Sequence, residues 1–216
     1  MTNYRLYWAP DTAAMSPEAL LECEGIDYEK VVISFDGREQ FSDTYKAVNP
    51  LCRIPTLVTP GGEAITETAA ILMYLCEAHD LDWMPGLGSP SRGQFLRFMF
   101  LIANNIHTPF RRLYRAYDFI DDESAYPNIR DKAVEQTKET FTAVYALAAT
   151  SGGPFCLGGK RTIADLYLAA MITWFPKFET DLLPDLHGSH HPPGCRRAQL
   201  LMAGGTRFTD RRSPIL

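Results

Sequence analysis

The chain has 216 residues, of which 46% are hydrophobic and 12% aromatic, so it is long and apolar enough to bury a substantial core. Its formal net charge of -5 gives no sign of the basic surface that nucleic-acid binding requires. No stretch approaches the ~20 consecutive apolar residues of a transmembrane helix. Composition therefore argues against a nucleic-acid partner and a membrane, and it predicts a soluble protein.

The cysteines indicate the compartment. There are five of them, an odd number without a Cys-x-x-Cys pair, which argues against a secreted disulfide framework. The first residues lack the apolar run of a signal peptide. The sequence therefore predicts a cytoplasmic protein.

The chain begins with a strand, a helix and a second strand. Residues 4–8 and 28–35 are rich in aromatic and β-branched side chains, which favours strands. Between them, Ser16 precedes Pro17 and an acidic residue, a pattern typical of a helix start in which Ser16 is the N-cap. Gly25 suits the residue that ends this helix.

A hairpin and a helix follow. Residues 55–59 favour a strand, and a Pro-Gly-Gly turn separates them from a short strand at residues 63–65. Residues 68–78 carry Ile71, Leu72 and Leu75 at helical spacing. The order of elements up to about residue 79 is therefore β-α-β-loop-β-β-α.

The second half of the chain carries only helical patterns. Residues 80–92, with several Pro and Gly residues, are predicted to form a linker. Three helices are predicted after it, at residues 95–117 with a kink or division at Pro109, at residues 128–149, and from Thr162 to about residue 175. Within the third helix, Thr162 and Asp165 have the spacing of a capping box.

The last part of the chain has little periodicity and is predicted to be irregular. Its histidines and Cys195 fit no standard zinc spacing, and we therefore expect no metal site. The predicted organisation has four parts: residues 1–79 as an α/β domain, 80–92 as a linker, 93–183 as an all-helical domain, and 184–216 as an irregular tail.

Three segments resemble the glutathione transferase family. They are NPLCRIPTL at residues 49–57, ITETAAILMYL at residues 65–75 and, far downstream, GKRTIADLYL at residues 159–168. The resemblance points to the cytosolic type, closest to the bacterial branch. It implies a thioredoxin-like N-terminal domain, an all-helical C-terminal domain, glutathione as co-substrate and a homodimer.

The same resemblance identifies the residues expected to bind glutathione. Glu67 and Thr68 lie where a strand turns into a helix, so that free N–H groups and the helix dipole attract a carboxylate; helix capping alone is the other interpretation of Thr68. Ile54 and Pro55 are implied to have a cis peptide bond that turns the Ile54 backbone toward the cysteinyl unit. Arg53 is either a contact of the glycyl carboxylate or a solvated cation.

The catalytic group is harder to identify from the sequence. A transferase must lower the pKa of the glutathione thiol, and relatives place Tyr, Ser or Cys at the end of the first strand. Here Ala13 and Ala14 occupy that corner. Of the hydroxyl groups nearby, Thr12 is our prediction for the catalytic residue. Backbone N–H groups at the start of the first helix are an alternative source of stabilisation.

The electrophile is expected to bind between the two domains. His107 resembles a histidine of the bacterial branch that lies on the long helix and faces the active-site cleft. The alternative role is a hydrogen bond within the C-terminal domain. Phe98 and Phe110 are expected to line the same wall. Cys52 is either an inert, buried thiol or a site of mixed disulfide formation with glutathione.

The predicted function is conjugation of glutathione to small electrophilic, largely apolar substrates in detoxification. Two alternatives stay open. One is a glutathione-binding protein with little or no transferase activity, and the other is a glutathione-dependent reductase or dehalogenase, since the fold alone does not decide the chemistry.

Overall fold

A mixed four-stranded sheet organises the first half of the chain in the computed structural model, which describes residues 3–174. The strand order is β2-β1-β3-β4, and β1 (Tyr4–Trp8) is central. It pairs in parallel with β2 (Tyr28–Val32) and antiparallel with β3 (Thr56–Val58), which pairs antiparallel with β4 (Ala64–Thr66). The parallel pair requires a crossover, which a helix between the two strands supplies.

That crossover is α1 (Met15–Glu24). Gly25 ends it with a φ of 65°, and its N–H donates to the Leu21 carbonyl, as a left-handed helix end requires. The predicted N-cap is wrong: Ala14 precedes the helix, and Ser16 is its buried second residue. The polar segment after β2 contains the short helix α2 (Asp43–Lys46).

The hairpin of β3 and β4 leads directly into α3 (Thr68–Ala78), which has the predicted bounds. β1, β3 and α3 contribute Leu6, Leu57 and Leu72 to the core, and all three side chains are fully buried. The thioredoxin-like architecture predicted for the N-terminal domain is therefore confirmed.

The predicted helix at residues 95–117 consists of three consecutive segments. They are α4 (Arg92–Leu101), a π-helical segment (Ile102–His107) and α5 (Thr108–Tyr114). Pro109 is the second residue of α5. It has no N–H, and its ring conflicts with the carbonyl four residues earlier, a conflict that the wider π turn just before it relieves.

Two further helices complete the described fold. The long α6 (Tyr126–Ala149) buries one face, whereas α7 (Ile163–Ile172) is buried from its first residue through Met171. A helix that is apolar all round belongs in the centre of a protein. α7 packs against both α1 and α3, so the sheet half and the helical half share one continuous core.

The start of α7 is fixed by the predicted capping box. The Thr162 N–H donates to Asp165 Oδ2 at 2.8 Å, and the Thr162 hydroxyl donates to the same oxygen at 2.9 Å. The other carboxylate oxygen accepts the Cys156 N–H at 2.7 Å. Asp165 therefore anchors both the helix and the loop that precedes it.

Candidate functional site

A cleft of about 390 Å³ opens between the sheet half and the helical half of the chain. One wall is formed by the turn before α1, the loop before β3 and the β4–α3 junction. The other is formed by the π-helical segment, α5 with the residue after it, and Trp174, which lies two residues after α7. The cleft brings together all but one of the residues predicted to bind or act on a ligand, the exception being Phe98; they are Thr12, Arg53, Ile54, Pro55, Glu67, Thr68, His107 and Phe110.

The loop before β3 is held by a buried asparagine. Asn49 Nδ2 donates to the Arg53 carbonyl at 2.8 Å and to Thr56 Oγ1 at 3.0 Å. The Tyr45 hydroxyl donates to the same carbonyl at 2.6 Å. The Ile54–Pro55 peptide bond in this loop is cis, as expected. Asn49 is part of the motif in the sequence, but only the structure reveals its role in ordering the loop.

The β4–α3 junction has an unusual backbone. Glu67 immediately precedes α3 with a φ of 69°, a left-handed value that costs energy for a residue with a side chain. Its carboxylate does not cap the helix, and the residue is exposed to solvent. Glu67 therefore keeps its charge available to the cleft.

Thr68 is the first residue of α3, not its cap, and it is buried. Within residues 3–174, its hydroxyl makes no hydrogen bond of good geometry, although it lies close enough to the Tyr167 hydroxyl to influence its pKa. A buried hydroxyl without a partner indicates an interaction that is still to be made. It lies beside the first turn of α3, where N–H groups attract an anion.

The corner at the end of β1 contains the predicted catalytic residue. The Thr12 hydroxyl donates its proton to the Ala9 carbonyl at 2.7 Å and accepts from the Ala14 N–H at 3.3 Å. In this arrangement it has no proton to donate to a thiolate. The assignment of Thr12 as the catalytic group stays a prediction.

Asp11 also lines this corner, a position that no sequence motif predicted. Its φ of 56° places the residue in the left-handed region. Burial raises the pKa of its carboxyl group. Asp11 also contributes to the raised pKa of Tyr114, about 12, although burial is the larger cause.

His107 lies across the cleft at the end of the π-helical segment. Its Nδ1 atom is 2.9 Å from the hydroxyl oxygen of Tyr167. Burial, followed by the charges of Arg111 and Arg53, lowers the pKa of His107 to about 4. Burial and the charge of Glu67 raise the pKa of Tyr167. At neutral pH both rings are therefore uncharged.

Aromatic side chains form the apolar part of this wall. Phe110 stacks on Tyr114 with ring centroids 6.2 Å apart and meets Trp174 edge-on at 5.7 Å. The Tyr114 hydroxyl donates to the Trp174 carbonyl at 2.5 Å. Phe98 is fully buried in the core and does not line the cleft, so its expected role is wrong.

Cys52 and two arginines complete the lining. Cys52 is half-buried at the cleft, so the interpretation of a buried thiol is wrong. Arg111 reaches the cleft from α5, and Arg115 reaches it from the position directly after that helix.

The described residues contain neither a membrane-spanning helix nor a metal-binding cluster. No helix among residues 3–174 is long and apolar enough to cross a bilayer. In the same part of the chain, no three His, Cys, Asp or Glu side chains form a group suited to a metal ion. The tail histidines and Cys195 lie outside the described residues.

Comparison with known proteins gives consistent results. Residues 14–78 match the family model described as the N-terminal domain of glutathione S-transferase. The uncharacterised GST-like protein YncG of Escherichia coli K12 is 27% identical over 81% of this chain and 83% of its own length. The maleylacetoacetate isomerase of Dictyostelium discoideum is 30% identical, over 73% of this chain and 71% of its own length.

Among solved structures, a glutathione transferase homolog from Sulfitobacter with bound glutathione superposes with a TM-score of 0.70. It is 26% identical, and the match covers 81% of this chain and 83% of the other.

Proposed function

The chain belongs to the glutathione transferase family. We propose that its cleft binds glutathione and conjugates it, through the thiol sulfur, to small, largely apolar electrophiles. The observation that carries the binding half is the β4–α3 junction. This junction brings together the Glu67 carboxylate, which does not cap the helix, the buried Thr68 hydroxyl, which has no partner, and the first turn of α3. Glutathione presents an ammonium and a carboxylate on its γ-glutamyl unit, which such a junction complements.

The rest of the tripeptide is proposed to lie along the loop before β3. In this arrangement Glu67 binds the ammonium group and Thr68 the γ-glutamyl carboxylate. The backbone of Ile54, next to Pro55, pairs with the cysteinyl unit. Arg53, which is exposed at the cleft, faces the glycyl carboxylate.

The thiol is proposed to lie at the start of α1. The N–H groups of this helix end stabilise a thiolate, and Thr12 orders the turn through its bond to the Ala9 carbonyl. The thiolate then attacks an electrophilic carbon, a carbon–sulfur bond forms, and the leaving group departs with its electron pair. The thiol proton passes to solvent. Phe110 and His107 contact the electrophile.

Calorimetry tests the binding half. We expect Glu67→Gln to weaken glutathione binding roughly 10- to 100-fold, the effect of losing one hydrogen bond between charged groups. Glu63→Gln is the matched control, because Glu63 is also an exposed acid, lies in the turn of the same hairpin and does not line the cleft. Equal affinities of the Glu67→Gln variant and the wild type would show that the site is assigned wrongly.

Thiol titration tests the transfer half. The absorbance of the thiolate is measured as a function of pH. We expect the thiol pKa of bound glutathione to be lower than that of free glutathione. An unchanged pKa would support the alternative of a glutathione-binding protein without transferase activity. The absence of polar side chains at Ala13 and Ala14 favours that alternative. In either case we propose a cytoplasmic homodimer.

A further inference from the structure

We propose that the electrophile subsite selects substrates that carry a carboxylate beside their apolar reacting group, and that Arg111 and Arg115 bind this carboxylate. The inference rests on the proposed function, because it concerns the second substrate of the same cleft. It starts from two cations at the C-terminal end of α5, Arg111 within the helix and Arg115 directly after it, whose shared counter-ion lies outside the cleft.

The two guanidinium groups share a single acid. Arg111 Nη2 donates to Asp118 Oδ2 at 2.8 Å, and Arg115 Nε lies 3.0 Å from the same oxygen. Arg115 Nη2 donates to the other oxygen at 3.3 Å. Both arginines line the cleft, whereas Asp118 does not. The cleft is therefore lined by two positive charges that a single carboxylate balances only in part.

Aromatic rings of the α5–α6 loop fix the position of these cations. The Arg111 guanidinium lies 5.5 Å from the Phe119 ring centre, and that of Arg115 lies 5.4 Å from Tyr117. A guanidinium group held in this way loses little side-chain entropy on binding, and its planar donors match a carboxylate.

The other charges that line the cleft are mostly taken up in the proposed complex. In the proposed complex Glu67 faces the ammonium of glutathione and Arg53 the glycyl carboxylate. His107 is uncharged at neutral pH. Asp11 is then the acid that remains, against Arg111 and Arg115. Among the groups that line this part of the cleft, two guanidinium groups thus face one acid beside the aromatic wall, while Asp118 pairs with both of them from outside the cleft.

A pair of electrophiles that differ only at the carboxylate tests the proposal. In 4-chloro-3-nitrobenzoate and its methyl ester, the glutathione thiolate forms a carbon–sulfur bond, the carbon–chlorine bond breaks and chloride leaves. Each kcat/KM is divided by the uncatalysed rate constant, because the two compounds differ in intrinsic reactivity. We expect the wild type to prefer the acid at least 10-fold on this scale.

Substitutions in α5 and in the loop after it show which residues cause the preference for the acid. Arg111→Met is expected to lower the acid-to-ester ratio about 10-fold, and Arg115→Met to lower it as well. Arg112→Met is the control, because Arg112 lies on the same helix but bonds to Gln136 at 2.7 Å and does not line the cleft. Asp118→Asn keeps both cations and removes their counter-ion, and it is expected to raise the ratio.

The outcomes separate this proposal from the proposed function. A wild-type ratio of one or less, or a ratio that neither Arg111→Met nor Asp118→Asn changes, would overturn the carboxylate site while glutathione transfer stands. If neither compound is turned over, the same pair is compared by calorimetry on the glutathione-loaded protein. A preference for the acid that Arg111→Met removes supports the carboxylate site, and equal affinities refute it.

Discussion

The carboxylate of Asp165 allows a stability prediction to be derived from the structure. It accepts three hydrogen bonds, from the Thr162 N–H, the Thr162 hydroxyl and the Cys156 N–H. All three residues are buried. Asp165→Ala removes the acceptor and leaves three donors without a partner, in a place where solvent cannot replace it.

The magnitude follows from opposing contributions. Hydrogen bonds to a charged acceptor contribute ~1.5–3 kcal/mol each, but removing a buried carboxylate also relieves its desolvation. We therefore expect a loss of about 3–5 kcal/mol, less than the ~4.5–9 kcal/mol that three such bonds would contribute without the desolvation of the carboxylate. For a chain of this length 1 kcal/mol corresponds to ~2–4 °C, so the Tm should fall by roughly 6–20 °C.

Scanning calorimetry of Asp165→Ala and Asp122→Ala checks this reasoning. Asp122 accepts the N–H and hydroxyl of Ser124 at 2.9 and 2.7 Å, but it is exposed, so water replaces the lost bonds. We expect its Tm to be nearly unchanged. Glutathione affinity of the folded Asp165→Ala variant should equal that of the wild type. Similar Tm values for the two variants, or a large loss of affinity in folded Asp165→Ala, would refute the argument.

Two further predictions concern pH and backbone packing. The folded pKa of His107 is about 4 against an ordinary 6.5, so between these values the unfolded chain binds a proton that the folded chain does not. Stability should therefore fall as the pH falls from about 6.5 to about 4, and chemical unfolding at several pH values should show a smaller fall for His107→Gln. A Cβ at Gly153 would overlap backbone atoms of Gly158 and Gly159, so Gly153→Ala should lower the Tm. At Gly93 in α4 it would meet no atom within 4 Å, and Gly93→Ala should be neutral or stabilising by up to ~1 kcal/mol.

Local signals predicted much of the fold from the sequence. β1 and α3 have the predicted bounds because their apolar patterns and flanking residues agree. The error at Ser16 has a physical origin: a proline is tolerated anywhere in the first helical turn, where its missing N–H has no partner. The Ser-Pro-acid pattern therefore fits more than one helix start, and the chain begins α1 at Met15, one residue before Ser16.

In the candidate site, too, the residues within local motifs were predicted, whereas those placed by tertiary packing were missed. Ile54 and Glu67 lie within short motifs whose geometry is local, and both line the cleft as predicted. Asp11 was missed because its position depends on a left-handed backbone that a non-glycine residue rarely adopts. Trp174 and Tyr114 were missed because only tertiary packing brings the end of α7 against α5.

Ionisation of the glutathione thiol and selection of the electrophile both depend on Arg111. At the start of α1, the carboxylate of Asp11 disfavours a nearby thiolate, and Thr12 has donated its proton to the Ala9 carbonyl. Ionisation of a thiol there depends on N–H groups and on cations across the cleft. The guanidinium proposed to bind the electrophile is one of those cations, and its charge reaches His107. Removing it should raise the thiol pKa as well as weaken selection for a carboxylate. The pH–rate profile of the neutral ester reports the first effect alone, whereas the acid-to-ester ratio at one pH reports the second.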